Sequence, residues 1–271
     1  MASQPMFFKK NRIDISNPSV TITVEDPVAY SSGQPIVDFL RNRNNTSAWV
    51  TTLSDDSANT TLTVEIGDMV SISDVILINH NFKEFKITFN DGIEWQEFSS
   101  PIHISDCIES TTRIHFGSVN AVAIRIQILG TQVPNQDKRM TQLLVTEFVG
   151  QLNAWPVIKN PTHSTNRRRS KMLSGKSNFI ESAGSFSCEL NIQVLSDQED
   201  LSTFEAIYAS RQGLLFWPGG GDESQFKVLP VGYRRQDFYF VRPSNDYMPE
   251  FYKGQYTSGV KIQVKLEECT E

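Results

Sequence analysis

The residue types that most often carry chemistry are thinly spread along this chain of 271 residues. Its four histidines are His80, His103, His115 and His163, and two of them flank Asp106. A set of two histidines and a carboxylate has the ligand types that zinc prefers. Alternation along a strand explains His103 and His115 equally well as surface residues. We favour that second interpretation, and for His80 we favour a packed loop residue over a metal ligand.

Sequence motifs of common enzymes are absent from the chain. It contains no G-x-S-x-G, H-E-x-x-H or G-x-x-x-x-G-K-[ST]. The triple glycine at 219–221 is not followed by a lysine and a helix, so it is typical of a loop tip rather than a phosphate-binding loop. We therefore expect a protein that is not an enzyme and that needs no cofactor.

A basic cluster places five positive charges within ten residues, at Arg167, Arg168, Arg169, Lys171 and Lys176. Three interpretations are open: contact with carboxylates of a neighbouring subunit, contact with DNA, or a solvated loop. The net charge of the chain is −6, which disfavours a general nucleic-acid-binding role. We favour the subunit contact, with the first four of these residues as the candidate interface.

Composition and length bound the class of protein. A hydrophobic content of 39% with 21% charged residues is typical of a folded protein, and 271 residues suit two ordinary domains. The three cysteines, Cys107, Cys188 and Cys269, are far apart and odd in number, which predicts free thiols. The N-terminus has no apolar core of signal-peptide length, and no apolar run reaches the roughly 18 residues of a membrane span. We expect a protein made and folded in a cytoplasm, without membrane insertion.

The stretch from 62 to 95 has the clearest strand pattern. Apolar and polar residues alternate from Leu62 to Ile66 and from Phe85 to Phe89, as in half-buried strands. Between them, Val75–Ile78 is a continuous apolar run, which predicts a strand buried on both faces. Turns are predicted at Gly67-Asp68 and at Asp91-Gly92.

Four motifs in order resemble the discoidin family, the coagulation-factor C-type domains of the galactose-binding-like superfamily. They are Trp49 in a polar loop, the NDGIEW segment ending at Trp95, the AIRIQI strand at 123–128, and the VTEFVG strand at 145–150. The resemblance covers roughly residues 1–150. It lacks the paired cysteines that bracket the domain in that family.

The resemblance implies an N-terminal jelly-roll β-sandwich, residues 1–152, that binds a ligand and catalyses nothing. Some domains of this superfamily carry a structural cation, for which Asp55, Asp56 and Asp68 are the candidate oxygen ligands here. A sugar would need an aromatic platform, and Trp49, Trp95 and Phe98 have the right residue type. In the family pattern such tryptophans are mostly core, so we predict that Trp95 is buried.

A proline-bearing segment at 153–161 predicts a linker to a second domain, residues 153–271. The polar and basic stretch at 162–178 is predicted as a loop, and Ser185–Val194 alternates strictly and predicts a strand. A helix is predicted at about 197–212, from the Ser196 and Glu199 capping box and an apolar stripe. Further predicted strands are Leu214–Trp217, Phe226–Val231, Asp237–Val241 and Val260–Leu266.

This order of strands and one helix resembles the tail-tube-like domain of tube, hub and distal-tail proteins of tailed phages. The resemblance implies an all-β protein: a jelly roll joined to a β-sandwich with one packed helix that assembles into a ring. It implies a structural component of a virion tail tip or baseplate, with other tail proteins as partners and a host-surface glycan as a further ligand. The alternative is a free-standing carbohydrate-binding or adhesion module.

Overall fold

The chain folds mainly into β-strands. The computed structural model describes residues 5–25, 36–43, 45–52, 55–152, 157–158, 162–171, 177–195, 198–210, 213–219, 236–253 and 258–269. These residues form antiparallel sheets and one α-helix, which confirms the all-β prediction with a single helix. That helix is not long and apolar enough to cross a membrane.

The strands are numbered here in chain order. The first ten are β1 (Met6–Phe8), β2 (Thr21–Glu25), β3 (Trp49–Val50), β4 (Thr60–Ile78), β5 (Phe82–Asn90), β6 (Trp95–Gln96), β7 (Ile102–Ile104), β8 (Thr111–Thr131), β9 (Arg139–Met140) and β10 (Gln142–Thr146). The others are β11 (Phe148–Gln151), β12 (Val157–Ile158), β13 (Thr162–Lys171), β14 (Ser177–Leu195), β15 (Leu214–Trp217), β16 (Tyr239–Pro243), β17 (Glu250–Lys253) and β18 (Ser258–Glu268). A short 3-10 helix covers Val37–Arg41, and the α-helix α1 covers Gln198–Ala209.

Two compact units divide the chain. One is Lys10–Phe148, called here the jelly-roll unit, and the other combines Met1–Lys9 with Val149–Glu271 and is called the split unit. The predicted boundary at 152/153 had assigned the first nine residues to the jelly roll. Strand β1 instead pairs with β15, and Phe7 is fully buried in the core of the split unit. The jelly-roll unit is therefore an insertion between the first two strands of the split unit.

Strands β4 and β8 run the length of the jelly-roll unit. They pair from Thr60 opposite Ile128 to Ile78 opposite Thr111, with an irregularity between Glu65 and Val70. The sequence had predicted a turn at Gly67 between two separate strands. Gly67 has a φ of +90°, and a Cβ atom there would lie 2.7 Å from the Cβ atom of Ser19, so this bend within one strand requires glycine.

The bend gives each half of β4 a different outer neighbour. Strand β2 pairs with its first half, Thr61–Glu65, and β10 pairs with its second half, Asp74–Ile78. Apolar residues from both halves bury their side chains in one core, as the alternation at 62–66 and the run at 75–78 predicted. Trp49 is also fully buried there, as the family pattern implied for such tryptophans.

The split unit contains a nine-stranded antiparallel sheet among its described residues. Its order is β11-β1-β15-β16-β18-β14-β12, with β13 added on β14 and β17 on β18. Helix α1 lies within the predicted 197–212, and residues 196, 197, 211 and 212 lie outside the described residues. Its first turn carries Glu199 and Asp200, and Phe204 and Ile207 are buried against the sheet.

Strand β14 confirms the strand predicted at Ser185–Val194 and begins earlier, at Ser177. Phe186, Cys188 and Leu190 are buried and alternate with half-buried polar residues. The preceding basic stretch, predicted as a loop, is strand β13, which pairs with β14 from Thr162 to Lys171. The polar sequence of β13 lacks the apolar alternation that would predict a strand, whereas its backbone pairs along β14.

The strands predicted at 214–217, 237–241 and 260–266 correspond to β15, β16 and β18, whereas the one at 226–231 lies outside the described residues. Cys107 and Cys188 are buried, Cys269 is half-buried, and none of the three forms a disulfide, as their spacing predicted.

Candidate functional site

The turn between β5 and β6 is held by side chains of its own residues. The Asp91 carboxylate accepts hydrogen bonds from the Ile93 amide at 2.9 Å and the Glu94 amide at 3.0 Å. Its second oxygen accepts from Nε2 of Gln96 at 2.5 Å. These bonds, the Glu94 amide first, hold the pKa of Asp91 below its usual value. Gly92 has a φ of +95°, as the Asp-Gly pair predicted.

This turn presents Trp95 on the outer surface of the jelly-roll unit. Trp95 pairs with Asn90 across the hairpin, and its side chain is half-buried. The guanidinium carbon of Arg125 lies 3.9 Å from the centroid of the Trp95 ring. At that distance the cation and the ring attract each other, so each orients the other.

Polar side chains surround this pair. Arg125 lies on β8 directly opposite Thr63 of β4 and Thr88 of β5, and residues opposite each other share one face of a sheet. All three are half-buried, as is Asn90. We call Trp95, Arg125, Thr63, Thr88 and Asn90 the Trp95 face. It offers an aromatic ring, a guanidinium group, two hydroxyl groups and an amide.

The opposite face of the same strands is core. Val64 and Ile124 flank the positions of Thr63 and Arg125 and are fully buried, as is Ile126. Since the interior is close-packed, the backbone beneath the Trp95 face has little freedom to move. The site therefore lies on a rigid support.

The prediction that Trp95 is a core residue is wrong. Trp49 is fully buried, whereas Trp95 lies at the end of the hairpin on the outward side. The alternation from Phe85 to Phe89 places the odd-numbered residues of β5 inward and Asn90 outward, and Trp95 pairs with Asn90. The family pattern alone does not show that Trp95 pairs with Asn90, and this pairing decides the face on which the ring lies.

The histidines do not form a metal site in the described part of the chain. Nε2 of His103 contacts Oε1 of Glu84 at 2.8 Å, and Asp106 contacts Lys83 at 3.6 Å instead of either histidine. His115 lies 3.1 Å from Asp74. Among the described residues, no group of three or more His, Cys, Asp and Glu side chains is arranged to hold a metal ion. His163 lies in β13, where only the backbone is described.

His80 is a packed residue, as predicted. Its Nδ1 accepts a hydrogen bond from the Phe82 amide at 3.1 Å, so the ring proton is on Nε2, which donates to Oγ1 of Thr112 at 2.9 Å. The imidazole also lies edge-on to the ring of Phe85. Burial lowers its pKa to about 4, because the charged form would lose its hydration.

A buried carboxylate that the sequence did not reveal lies at Asp74. It receives hydrogen bonds from Nε of Arg113 at 2.7 Å and from the Ser73 hydroxyl at 2.6 Å. The Ser73 hydroxyl oxygen accepts from the Phe148 amide at 2.8 Å, and the Arg113 guanidinium lies over the Phe148 ring at 4.6 Å. This cluster fixes the end of the jelly-roll unit. Nothing in the spacing of these residues signals it, because Arg113 and Phe148 reach Ser73 and Asp74 only when β8 and β10 pair with β4.

The predicted interface residues lie in β13. Arg167, Arg168 and Arg169 pair in register with Glu181, Ile180 and Phe179 of β14, and Lys171 pairs with Ser177. The four predicted residues are thus in one strand of a β-hairpin.

No family model matches this chain, and no curated protein sequence matches it. Solved structures that resemble part of it include chitosan-binding module 1 of a Paenibacillus chitosanase/glucanase, at 12% identity and a TM-score of 0.41, covering 50% of this chain and 98% of that one. A family 32 carbohydrate-binding module of NanJ from Clostridium perfringens, solved with galactose, has 13% identity and a TM-score of 0.40, covering 53% of this chain and 99% of that one. None of the structures compared supports a tail-tube-like domain.

The contrast between the two tryptophans gives the first prediction. We expect Trp95→Ala to lower the free energy of unfolding by less than about 1.5 kcal/mol, since the ring is only partly buried in the folded state. Trp49→Ala, the matched control of the same residue type, should cost about 3–5 kcal/mol as a large-to-small core change. Urea unfolding followed by circular dichroism measures both. Equal losses would show that Trp95 is a core residue.

The buried histidine predicts a dependence of stability on pH. In the unfolded chain the pKa of His80 returns to about 6.5, so protons bind the unfolded state first as pH falls. Stability contributed by the neutral ring is complete above pH 6.5 and declines towards pH 4. Between pH 7.5 and pH 5 the loss should be about 2 kcal/mol.

The control for this prediction is His103, which is exposed. The decline should be smaller in His80→Asn and unchanged in His103→Asn, both measured by urea unfolding across that pH range. An unchanged decline in His80→Asn would assign the pH dependence to other groups.

Proposed function

We propose that the protein is a non-catalytic recognition protein whose jelly-roll unit binds a glycan at the Trp95 face. The observation that carries the proposal is the outward, half-buried Trp95 ring beside the Arg125 guanidinium. A sugar ring has an apolar C–H face and a rim of hydroxyl groups. An aromatic ring with adjacent donors and acceptors matches both parts.

The hydrogen-bonding groups of the face are suited to hydroxyl groups. Arg125 offers several N–H donors in a fixed plane, while the Thr63 and Thr88 hydroxyls and the Asn90 amide both donate and accept. Sugar hydroxyls also do both, so each can find a partner here. A guanidinium group additionally favours a carboxylate-bearing sugar, which it can bind through two hydrogen bonds.

The rigid support favours binding. The Asp91 hydrogen bonds fix the turn before Trp95, and the cation–π contact fixes the Arg125 side chain. Groups that are already ordered lose little entropy when a ligand binds. We expect single-site affinity to be weak, so that several copies are needed for firm attachment.

The test of this function is glycan binding with matched variants. We expect wild-type protein to bind one or more glycans on a microarray, and calorimetry to show at least about a tenfold loss of affinity in Trp95→Ala and Arg125→Ala. Lys86→Ala is the control, since Lys86 is exposed on the same side of β5 as Thr88 and Asn90. Absence of any glycan binding, or equal binding by all variants, would reject the proposal.

A second candidate function is assembly through the split unit, as in the tail tip or baseplate of a virion. The hairpin of β13 and β14 favours it. Strand β18 pairs with β14 from Ser187 onwards, so among the described residues Ser177–Phe186 pairs only with β13. This two-stranded arm is about 33 Å long.

An isolated two-stranded ribbon is marginally stable in water, and its open edges attract another strand. The partner we propose is a second copy of this chain in a ring, because repeated contacts between identical subunits add up around a closed ring. The positive charges at Arg167, Arg168 and Arg169 would then meet carboxylates of a protein whose net charge is −6. In this proposal the protein is made in the host cytoplasm and becomes part of the virion.

Charge reversal in the arm tests this second function. We expect Arg168→Glu with Arg169→Glu to leave the monomer folded and to block incorporation into particles. Adding Arg167→Glu should deepen the defect, because it reverses a third charge of the same strand. The Arg→Lys double variant at 168 and 169 is the control, because it keeps the charge.

The measurement complements particles that lack the native protein with each variant and counts the intact particles by electron microscopy. Normal numbers of particles containing the glutamate variant would show that these charges are not part of an interface.

A further inference from the structure

The loop before β4 encloses a buried lysine. Lys138 has no exposed surface, although lysine is among the residues least often fully buried. A buried ammonium group is costly unless oxygen atoms surround it. Its Nζ donates a hydrogen bond to the Asp55 carbonyl oxygen at 2.8 Å, and the Ala58 carbonyl oxygen lies 3.4 Å away.

Two hydrogen bonds to Thr51 fix the backbone of Lys138 in a position from which its side chain reaches the 55–58 loop. The Lys138 amide donates to Oγ1 of Thr51 at 2.8 Å, and the Lys138 carbonyl accepts from the Thr51 amide at 2.9 Å. These reciprocal bonds continue the pairing of β3 with β9. The ammonium group is therefore held in place by the fold.

Asp56, one of the residues expected to bind a cation, accepts hydrogen bonds from neighbouring residues of the protein instead. Asp56 accepts hydrogen bonds from the amide and hydroxyl of Thr131, both at 3.0 Å, and from the Asn135 amide at 3.0 Å. Asp68, another expected ligand, lies in the bent part of β4, beyond the pairing of Glu65 with Ala123. The residues predicted to bind calcium therefore do not converge on one site.

Carbonyl oxygens are also the ligands that calcium prefers. Two of them converge here on a positive charge that belongs to the chain. We propose that the Lys138 ammonium group acts as a built-in cation, which orders the 55–58 loop in place of a bound metal ion and makes the jelly-roll unit independent of divalent cations.

The local electrostatics agree with this proposal. The pKa of Asp55 is lowered first by the hydrogen bond from the Ser57 hydroxyl, next by the Ser57 amide, and also by the charge of Lys138. A divalent ion entering the loop would be repelled by the ammonium group at short range. The loop is thus complete as a site for one positive charge, and that charge is present.

The first test uses the unmodified protein. We expect its melting temperature to differ by less than about 1 °C between buffer with 5 mM calcium chloride and buffer with EDTA. A ligand that binds only the folded state must raise the melting temperature. A calcium-dependent rise would therefore overturn the proposal.

The second test removes the charge. Lys138→Met keeps an apolar stem and should lower the melting temperature by roughly 5–10 °C. Lys83→Met is the control, since the Lys83 side chain is about half exposed and its ammonium group contacts the exposed Asp106 at 3.6 Å. A Lys138→Met variant as stable as the wild type would overturn the proposal.

Chemical rescue makes the second test specific to the charge. Lys138→Ala leaves space for a propyl group and an ammonium, so n-propylammonium chloride should restore part of the lost stability. Tetramethylammonium chloride at equal concentration should not, because it has no N–H donor. Equal effects of both salts would contradict a hydrogen-bonded cation.

A measurement on the wild type covers the case in which the variants do not fold. Nuclear magnetic resonance should show one lysine ammonium signal whose protons exchange slowly with water, because Lys138 is enclosed. Absence of such a signal would mean that this ammonium group is open to solvent, and would overturn the proposal.

Discussion

The pairing of β4 with β8 is the interaction on which the jelly-roll unit depends. These two strands pair along both halves, and the bend at Gly67 lets one continuous pair contribute to both sides of the core. The neighbouring strands of that sheet are placed by this pair: β2 and β10 on β4, and β5 on β8. The hairpin that carries Trp95 is in turn an extension of β5. The position of the candidate site therefore follows from this pairing.

Local patterns in the sequence predicted the strands well because burial imposes them. Alternation gave the core positions from Leu62 to Ile66, and the apolar run at 75–78 gave a strand buried on both faces. The Asp-Gly turn and helix α1 also follow from residue types close together in the chain. Each of these features is decided within about ten residues.

Features that depend on partners distant in the sequence were missed. Strand β1 joins β15 across the whole jelly-roll insertion, and no local pattern encodes that pairing. A glycine followed by an aspartate suits both a turn and a bend within a strand, so the sequence alone predicts a turn at Gly67. The face on which Trp95 lies depends on the hairpin register. The polar sequence of β13 predicts a loop, because this strand is defined by its pairing with β14 and not by an apolar pattern of its own.

Buried cations were missed for the same reason. Arg41, in the short 3-10 helix, donates hydrogen bonds to the backbone carbonyls of Asp14, Asn17 and Val20, and Lys138 does so for the 55–58 loop. In a linear sequence both residues read as surface charges. In the fold they satisfy carbonyl groups that have no partner strand, which is how loops of this length stay ordered.

The central claim is that the jelly-roll unit recognises a glycan at the outward tryptophan and not elsewhere. The most direct measurement is a nuclear magnetic resonance titration of the protein with the glycan that binds best on a microarray. We predict that the indole N–H signal of Trp95 and the Nε–H signal of Arg125 move together with added glycan, while the indole signal of the buried Trp49 stays fixed. Unmoved Trp95 and Arg125 signals, with shifts confined to loops around the exposed Ile108 and Val133, would contradict the account.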